Sequence, residues 1–252
     1  MKEIGIIFST PMVQATLENR KFMTRRVCKD IADHDFKWGL DREPYVGNYQ
    51  VFTKTGPRKW DWITLENQWL YDLQTAVDDS RTYLLKCPYG QKGDRLYVKE
   101  TWKVISVDDS KQSMVITYKA VQDGCVRAEI EVKFSPERYA QFRKFYQKNG
   151  WQSPYFMPKE AARLWLDNEG VRVERLQDIT VEDVISEGLE VDNEIKNPDP
   201  STHDSIKNWN LAWAQHVFRE LWDKLNAKRG YGWDRNDWLW VVGFRRSLDE
   251  QK

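Results

Sequence analysis

The chain has 252 residues, with 39 Lys+Arg against 39 Asp+Glu, so its formal charge is zero. A protein that holds long polyanions by counterion release carries a basic excess, and this one has none; contact with nucleic acid must come from a local patch. With 40% hydrophobic residues and 13 Trp, 11 Tyr and 10 Phe, the composition also excludes a disordered chain.

The length suits one enlarged domain or two small ones. No stretch approaches the roughly 18 apolar residues that a membrane span requires. The opening MKEIGIIFSTP is broken by Pro11 too early for a signal peptide, which points to a cytoplasmic protein with no membrane partner. Cys28, Cys87 and Cys125 include no CxxC pair, and only His34, His203 and His216 could join them as soft ligands. Reduced packing cysteines are the expectation, with no metal and no cofactor.

In chain order, Ile4 to Phe8 reads as a short buried strand, followed by Thr10-Pro11 as the cap and first turn of a helix that ends near Asn19. Arg20-Lys21-Phe22-Met23-Thr24-Arg25-Arg26 then places four cations in seven residues. From about 30 to 86 no period is sustained, which predicts an insertion or lid with a strand pair around Tyr49 to Phe52. Gly90 and Gly93-Asp94 give turn chemistry before a strand through Leu96 and Val98 that reaches toward Trp102. Met114 to Tyr118 and Val126 to Phe134 read as further strands, and Ser135-Pro136-Glu137 opens a helix toward Lys148. Leu164 to Leu166 and Val171 to Leu176, joined by Asp167-Asn168-Glu169-Gly170, predict a hairpin. Thr180 and Asp183 cap a short helix that stops at Gly188. A loop at about 190 to 208 precedes a helix from Asn208 to Ala227, where Trp209, Trp213 and Trp222 form a stripe read as core. The last predicted strand is Trp238 to Phe244, its tryptophans either core or the wall of a base pocket. This succession predicts an α+β fold, a curved sheet or small barrel with peripheral helices.

Phosphate-cradling GxGxxG and GxxxxGK[ST] loops and the GxSxG elbow are all missing from the chain. The Arg20 to Arg26 cluster remains. It reads either as a solvated charged turn or as a contact for a phosphate backbone, with Phe22 or a tryptophan stacking on a base.

Four blocks sharpen the choice: FSTPMVQATLENRKFMTRR, YGQKGDRLYVKETW, VRVERLQDITVEDVISEGL and WLWVVGFRR. Their order, the N-R-K-x-x-T-x-R run and the G-D-x-L-x-V strand resemble the ASCH family, in its phage and prophage branch, and they cover about a quarter of the chain. Asn19 stands where glycine is common in that family. The resemblance implies a single ASCH domain over 1–252, a PUA-like small mixed β-barrel with peripheral helices and insertions. It implies an RNA or nucleoside partner and no obligate protein partner. Similar small bacterial enzymes deacetylate N4-acetylcytidine with a Lys, a Thr and a distant Glu, which fall here on Lys21, Thr24 and Glu187. Lys21 would serve as base for the Thr24 hydroxyl, Glu187 would protonate the leaving nitrogen, and Arg26 is the nearest oxyanion donor in sequence. Arg20, Arg25, Arg26, Glu100 and Trp102 complete the expected nucleic-acid contacts. The alternatives are an ASCH-type ribonuclease acting on single-stranded RNA, which the resemblance also allows, and a non-catalytic phage accessory or morphogenesis protein.

Overall fold

The computed structural model describes residues 1–29, 64–65, 68–74, 80–85, 87–120, 129–190 and 203–247. The strand pair expected near Tyr49 to Phe52, and Cys125, lie outside the described residues. The chain divides into two compact units. One comprises Met1–Phe22, Lys92–Glu169 and Phe244–Lys252, the other Met23–Gln91 and Gly170–Gly243.

In the first unit, β1 (Glu3–Ile7) runs parallel to β6 (Arg95–Lys99), with Gly5 opposite Tyr97. The period-two pattern of β6 puts Leu96 and Val98 in the core, as the alternation in the sequence requires. Helix α1 (Thr10–Leu17) starts one residue earlier than expected: Ser9 is the cap and Pro11 sits in the first turn. The chain then starts a new strand at Trp102 instead of extending β6. β7 (Trp102–Asp108), β8 (Ser113–Tyr118) and β9 (Glu129–Lys133) form an antiparallel sheet. Against it lies α2 (Pro136–Gln147), capped by Ser135, whose side chain accepts from the Arg138 amide. Trp102, Met114, Ile116, Phe142 and Phe145 share the resulting core. Its aromatic rings stack or meet edge-on at centroid distances of 5.2 to 6.4 Å.

The expected hairpin at 164–176 is instead one continuous strand, β10 (Trp165–Arg175). Asp167-Asn168-Glu169-Gly170 has turn composition, but Asn168 exchanges backbone hydrogen bonds with Gly93 and Asp94, which hold it extended. Gly170 absorbs the irregularity at φ 157°. β10 and β11 (Trp238–Arg246) both run through the two units, in the order β1-β6-β10-β11 in the first and β10-β11-β2 in the second.

In the second unit, β2 (Met23–Val27) pairs antiparallel with β11, Thr24 opposite Val242 and Arg26 opposite Trp240. Helix α3 (Val181–Ser186) carries the expected capping box of Thr180 and Asp183, and Gly188 follows it at φ 87°. Helix α4 (His203–Asn226) begins five residues before the expected Asn208. Leu176, Val184, Phe218, Trp222, Trp233 and Leu239 make one core; Cys28, Cys87, Val173, Trp238 and Trp240 make another. Trp213, expected in the core stripe, is exposed on α4. A three-stranded sheet, β3 (Thr64–Leu65), β4 (Gln68–Gln74) and β5 (Ser80–Leu85), occupies sequence that showed no sustained period.

The fold is α+β. No closed barrel is formed among the described residues. No described helix is long and apolar enough to cross a membrane.

Candidate active site

Helix α1 ends in a tight turn that sets the cationic run. Asn19 takes the left-handed conformation, φ 55°, and the amides of Arg20 and Lys21 both bond the Ala15 carbonyl, at 2.8 and 3.1 Å. Glycine takes that conformation without strain, and asparagine tolerates it better than most residues. Past the turn the cations part company. Arg20 is exposed and bonded to Glu18. Lys21 is only 3% exposed, with Nζ 6.0 Å from the centroid of the Phe8 ring.

Strand β2 then takes the run into the second unit. Thr24 is 1% exposed and Glu187, the C-terminal cap of α3, is 7% exposed. Next to Thr24 the chain buries Arg25. Arg25 donates to Asp183 at 2.6 Å and to Glu174 at 3.0 Å, stands 3.6 Å from Glu187, and rests over the Phe218 ring at 5.9 Å. Arg172 reaches the same acids, bonding Asp183 at 3.0 Å and pairing with Glu174. Burial acts to raise the Asp183 carboxyl, but the Arg25 and Arg172 charges and hydrogen bonds reverse it, leaving the group below its ordinary value.

Arg26 shares a strand face with Thr24 by the two-residue period. Burial pushes its guanidinium below the usual value and Arg229 adds to the shift, while Tyr89 and Glu187 oppose it. The sequence did not single out Asp183, Glu174, Arg172, Tyr89 or Arg229. Asp183 carried a signal, the capping box, but its side chain both completes that box and holds Arg25.

Other expected contacts lie in the first unit. Glu100 is buried against Arg163, which grips both of its carboxylate oxygens. Arg163 also stacks over Tyr118 at 4.3 Å. Trp102 is fully buried beneath Phe142 and Phe145, and its indole N–H donates to the Ser153 carbonyl, so no ring face is open to a base. Its place in the sequence at the end of the ETW run could not reveal that α2 covers it.

The buried thiol of Cys87 is pushed up to about 12 by burial, with the Tyr89 amide opposing, which removes it as a nucleophile. Among the described residues no group of three or more His, Cys, Asp or Glu is placed to hold a metal ion. Thr24 is thus a buried strand hydroxyl that shares its face with Arg26, whose guanidinium feels the charge of Glu187, while Arg25, next along the strand, stands 3.6 Å from the same carboxylate.

Comparison with protein-family models, with curated proteins and with solved structures returns no match.

Proposed function

We propose that this chain is an ASCH-type protein, its sheets elaborating a PUA-like barrel, that recognises RNA or a modified nucleoside and hydrolyses an acylated cytidine. The sequence blocks carry the family reading. One structural observation supports the chemistry: Lys21, Thr24 and Glu187 are 3%, 1% and 7% exposed. Burying a lysine and a glutamate is costly, so such groups are either tightly partnered or retained for chemistry.

In the proposed reaction the Thr24 oxygen attacks the acetyl carbonyl as Lys21 takes its proton. The carbonyl electron pair moves onto oxygen, where a guanidinium, Arg26 in this reading, offsets the charge. Collapse breaks the C–N4 bond, and Glu187 delivers a proton to the departing amine. Water then attacks the Thr24 ester, losing one proton to Glu187; Lys21 returns its proton to the Thr24 oxygen as the ester C–O bond breaks, and acetic acid leaves, ionising in solvent, with both groups reset. The proposed place of work is the bacterial cytoplasm, and the proposed source is a phage or prophage.

The test is a panel of acylated and methylated nucleosides with short single-stranded RNAs, read by mass spectrometry. Wild type should release acetate from N4-acetylcytidine. Lys21→Ala should lower the rate by about 10² to 10⁴, the usual worth of a positioned base. Thr24→Val, checked for folding by thermal denaturation, should abolish the acyl-enzyme. Deacetylation by Lys21→Ala at the wild-type rate would end this assignment; cleaved RNA would replace it with a ribonuclease, and unchanged ligand with a binding or accessory protein.

A further inference from the structure

In the first unit a short turn, Pro154–Phe156, displays two rings on the surface, Tyr155 at 69% and Phe156 at 52% exposure. Leaving large rings in water forgoes their burial energy. The turn is held by the Ser153 hydroxyl, which accepts from the Tyr155 amide, and the two rings meet edge-on at 5.3 Å.

Next to these rings lies a groove of about 320 Å³. Its described lining includes the cations Arg138, Lys144 and Lys159 and no carboxylate. That asymmetry stands out in a chain whose formal charge is zero. Cations lie over the aromatic faces: Lys99 over Tyr155 at 5.5 Å, and Lys144 and Lys148 over Phe145 at 5.5 and 5.4 Å. A second hollow of about 410 Å³ shares Arg138 and Lys159, has Glu160 in its wall, and is lined by Trp165, over which Arg95 stands at 4.8 Å. Arg138 is paired to Glu160 and Lys159 to Glu3, whereas Lys144 and Lys148 engage the ring of Phe145 and are the cations best placed to turn toward a phosphate.

Flat exposed rings interleaved with lysines suit a ligand with alternating π-faces and negative charge. A duplex hides its base faces in the stack, and an acidic peptide has carboxylates but no use for the rings. We propose that this groove binds a single-stranded polynucleotide, with bases stacked on Tyr155 and Phe156 and phosphates met by Lys144 and Lys148. The proposal shares no residue with the Lys21, Thr24 and Glu187 reading and stands whether or not that chemistry occurs.

Fluorescence anisotropy with labelled oligouridylate and oligothymidylate of about ten nucleotides, within the footprint of single-strand binders, tests it on the full chain. Both should bind, because stacking and backbone charge read no 2′-hydroxyl. Tyr155→Ala with Phe156→Ala should weaken binding about tenfold or more, the loss of one or two stacked bases. Because both rings are exposed, folding should survive. Lys144→Gln with Lys148→Gln should flatten the slope of log affinity against log salt by about 0.7 per lysine. Acetate release from free nucleoside, where wild type shows it, should be untouched in these variants. The proposal fails if neither oligonucleotide binds or if the double-alanine variant binds like wild type. It also fails if a glutamate-rich peptide binds and the oligonucleotides do not displace it.

Discussion

Arg163 holds Glu100 by two parallel hydrogen bonds, 2.8 Å from Nε to Oε1 and 2.9 Å from Nη2 to Oε2, with both side chains closed off from water. Burial raises the Glu100 carboxyl above its ordinary value even though Arg163 pulls it down. A raised carboxyl binds its proton more tightly folded than unfolded, so its contribution to stability falls as pH rises from about 4.3, the unfolded value, through the folded one. Arg163→Met should cost about 3 to 5 kcal/mol near neutral pH by leaving a buried charge alone, and the deficit should shrink in acid as Glu100 takes a proton. Glu100→Gln strands Arg163 instead and should show no such recovery. Urea denaturation at several pH values separates the two variants; parallel pH curves would refute this account.

Arg25 organises the second unit in the same manner with three acids. Arg25→Met should cost about 3 to 5 kcal/mol near neutral pH, since Glu174, Asp183 and Glu187 would lose the guanidinium they share, while Arg172 still bonds Asp183. The depressed Asp183 carboxyl adds stability that is complete above its unfolded value, about 3.9, and lost as pH falls through the folded value. In the variant this acid limb should weaken, which a pH series of thermal melts would reveal. A variant with the wild-type acid limb would show that Arg25 does not set it.

Asn19 at φ 55° predicts an asymmetric response to substitution. Asn19→Gly should leave stability unchanged or slightly improved, whereas Asn19→Val should cost about 1 to 2 kcal/mol and loosen the Arg20 and Lys21 amides from Ala15. Thermal denaturation of the two variants should rank them in that order, and equal melting temperatures would count against the strain.

Gly5 lies under the Tyr97 ring, whose nearest atoms stand 2.9 Å from where a Cβ would be. Gly5→Ala must push the ring aside, costing about 1 to 3 kcal/mol as overpacking does. Tyr97→Leu in the same chain should recover most of that. A double-mutant cycle without coupling would mean that the ring moves freely.

The sequence made legible what local chemistry decides. Ser135-Pro136 announced α2, Thr180 and Asp183 announced α3, and the alternation of Leu96 and Val98 announced β6. What escaped it depends on distant partners. Arg25 looked like one of four similar cations, yet its carboxylates lie 149 and 158 residues away along the chain. The DNEG stretch has turn composition, and only its bonding to the Gly93 and Asp94 segment keeps β10 continuous. Trp102 is a reasonable nucleic-acid contact by sequence, because nothing beside it says that Phe142 and Phe145 will cover it. Of the candidate residues, the burial of Lys21 and Thr24 had no local signal either, since both sit in a run that would be equally at home in water.

The pairing of β2 with β11 also imposes an order in time. Arg26 meets its strand neighbour Trp240 across more than two hundred residues of chain, while β7, β8 and β9 find one another nearby. Long loops close late because their entropy must be surrendered before any contact rewards it. A nascent chain is therefore expected to assemble the α2-covered sheet before β2 finds β11, so that Arg25 and Arg26 stay hydrated longer than the aromatic core beneath α2.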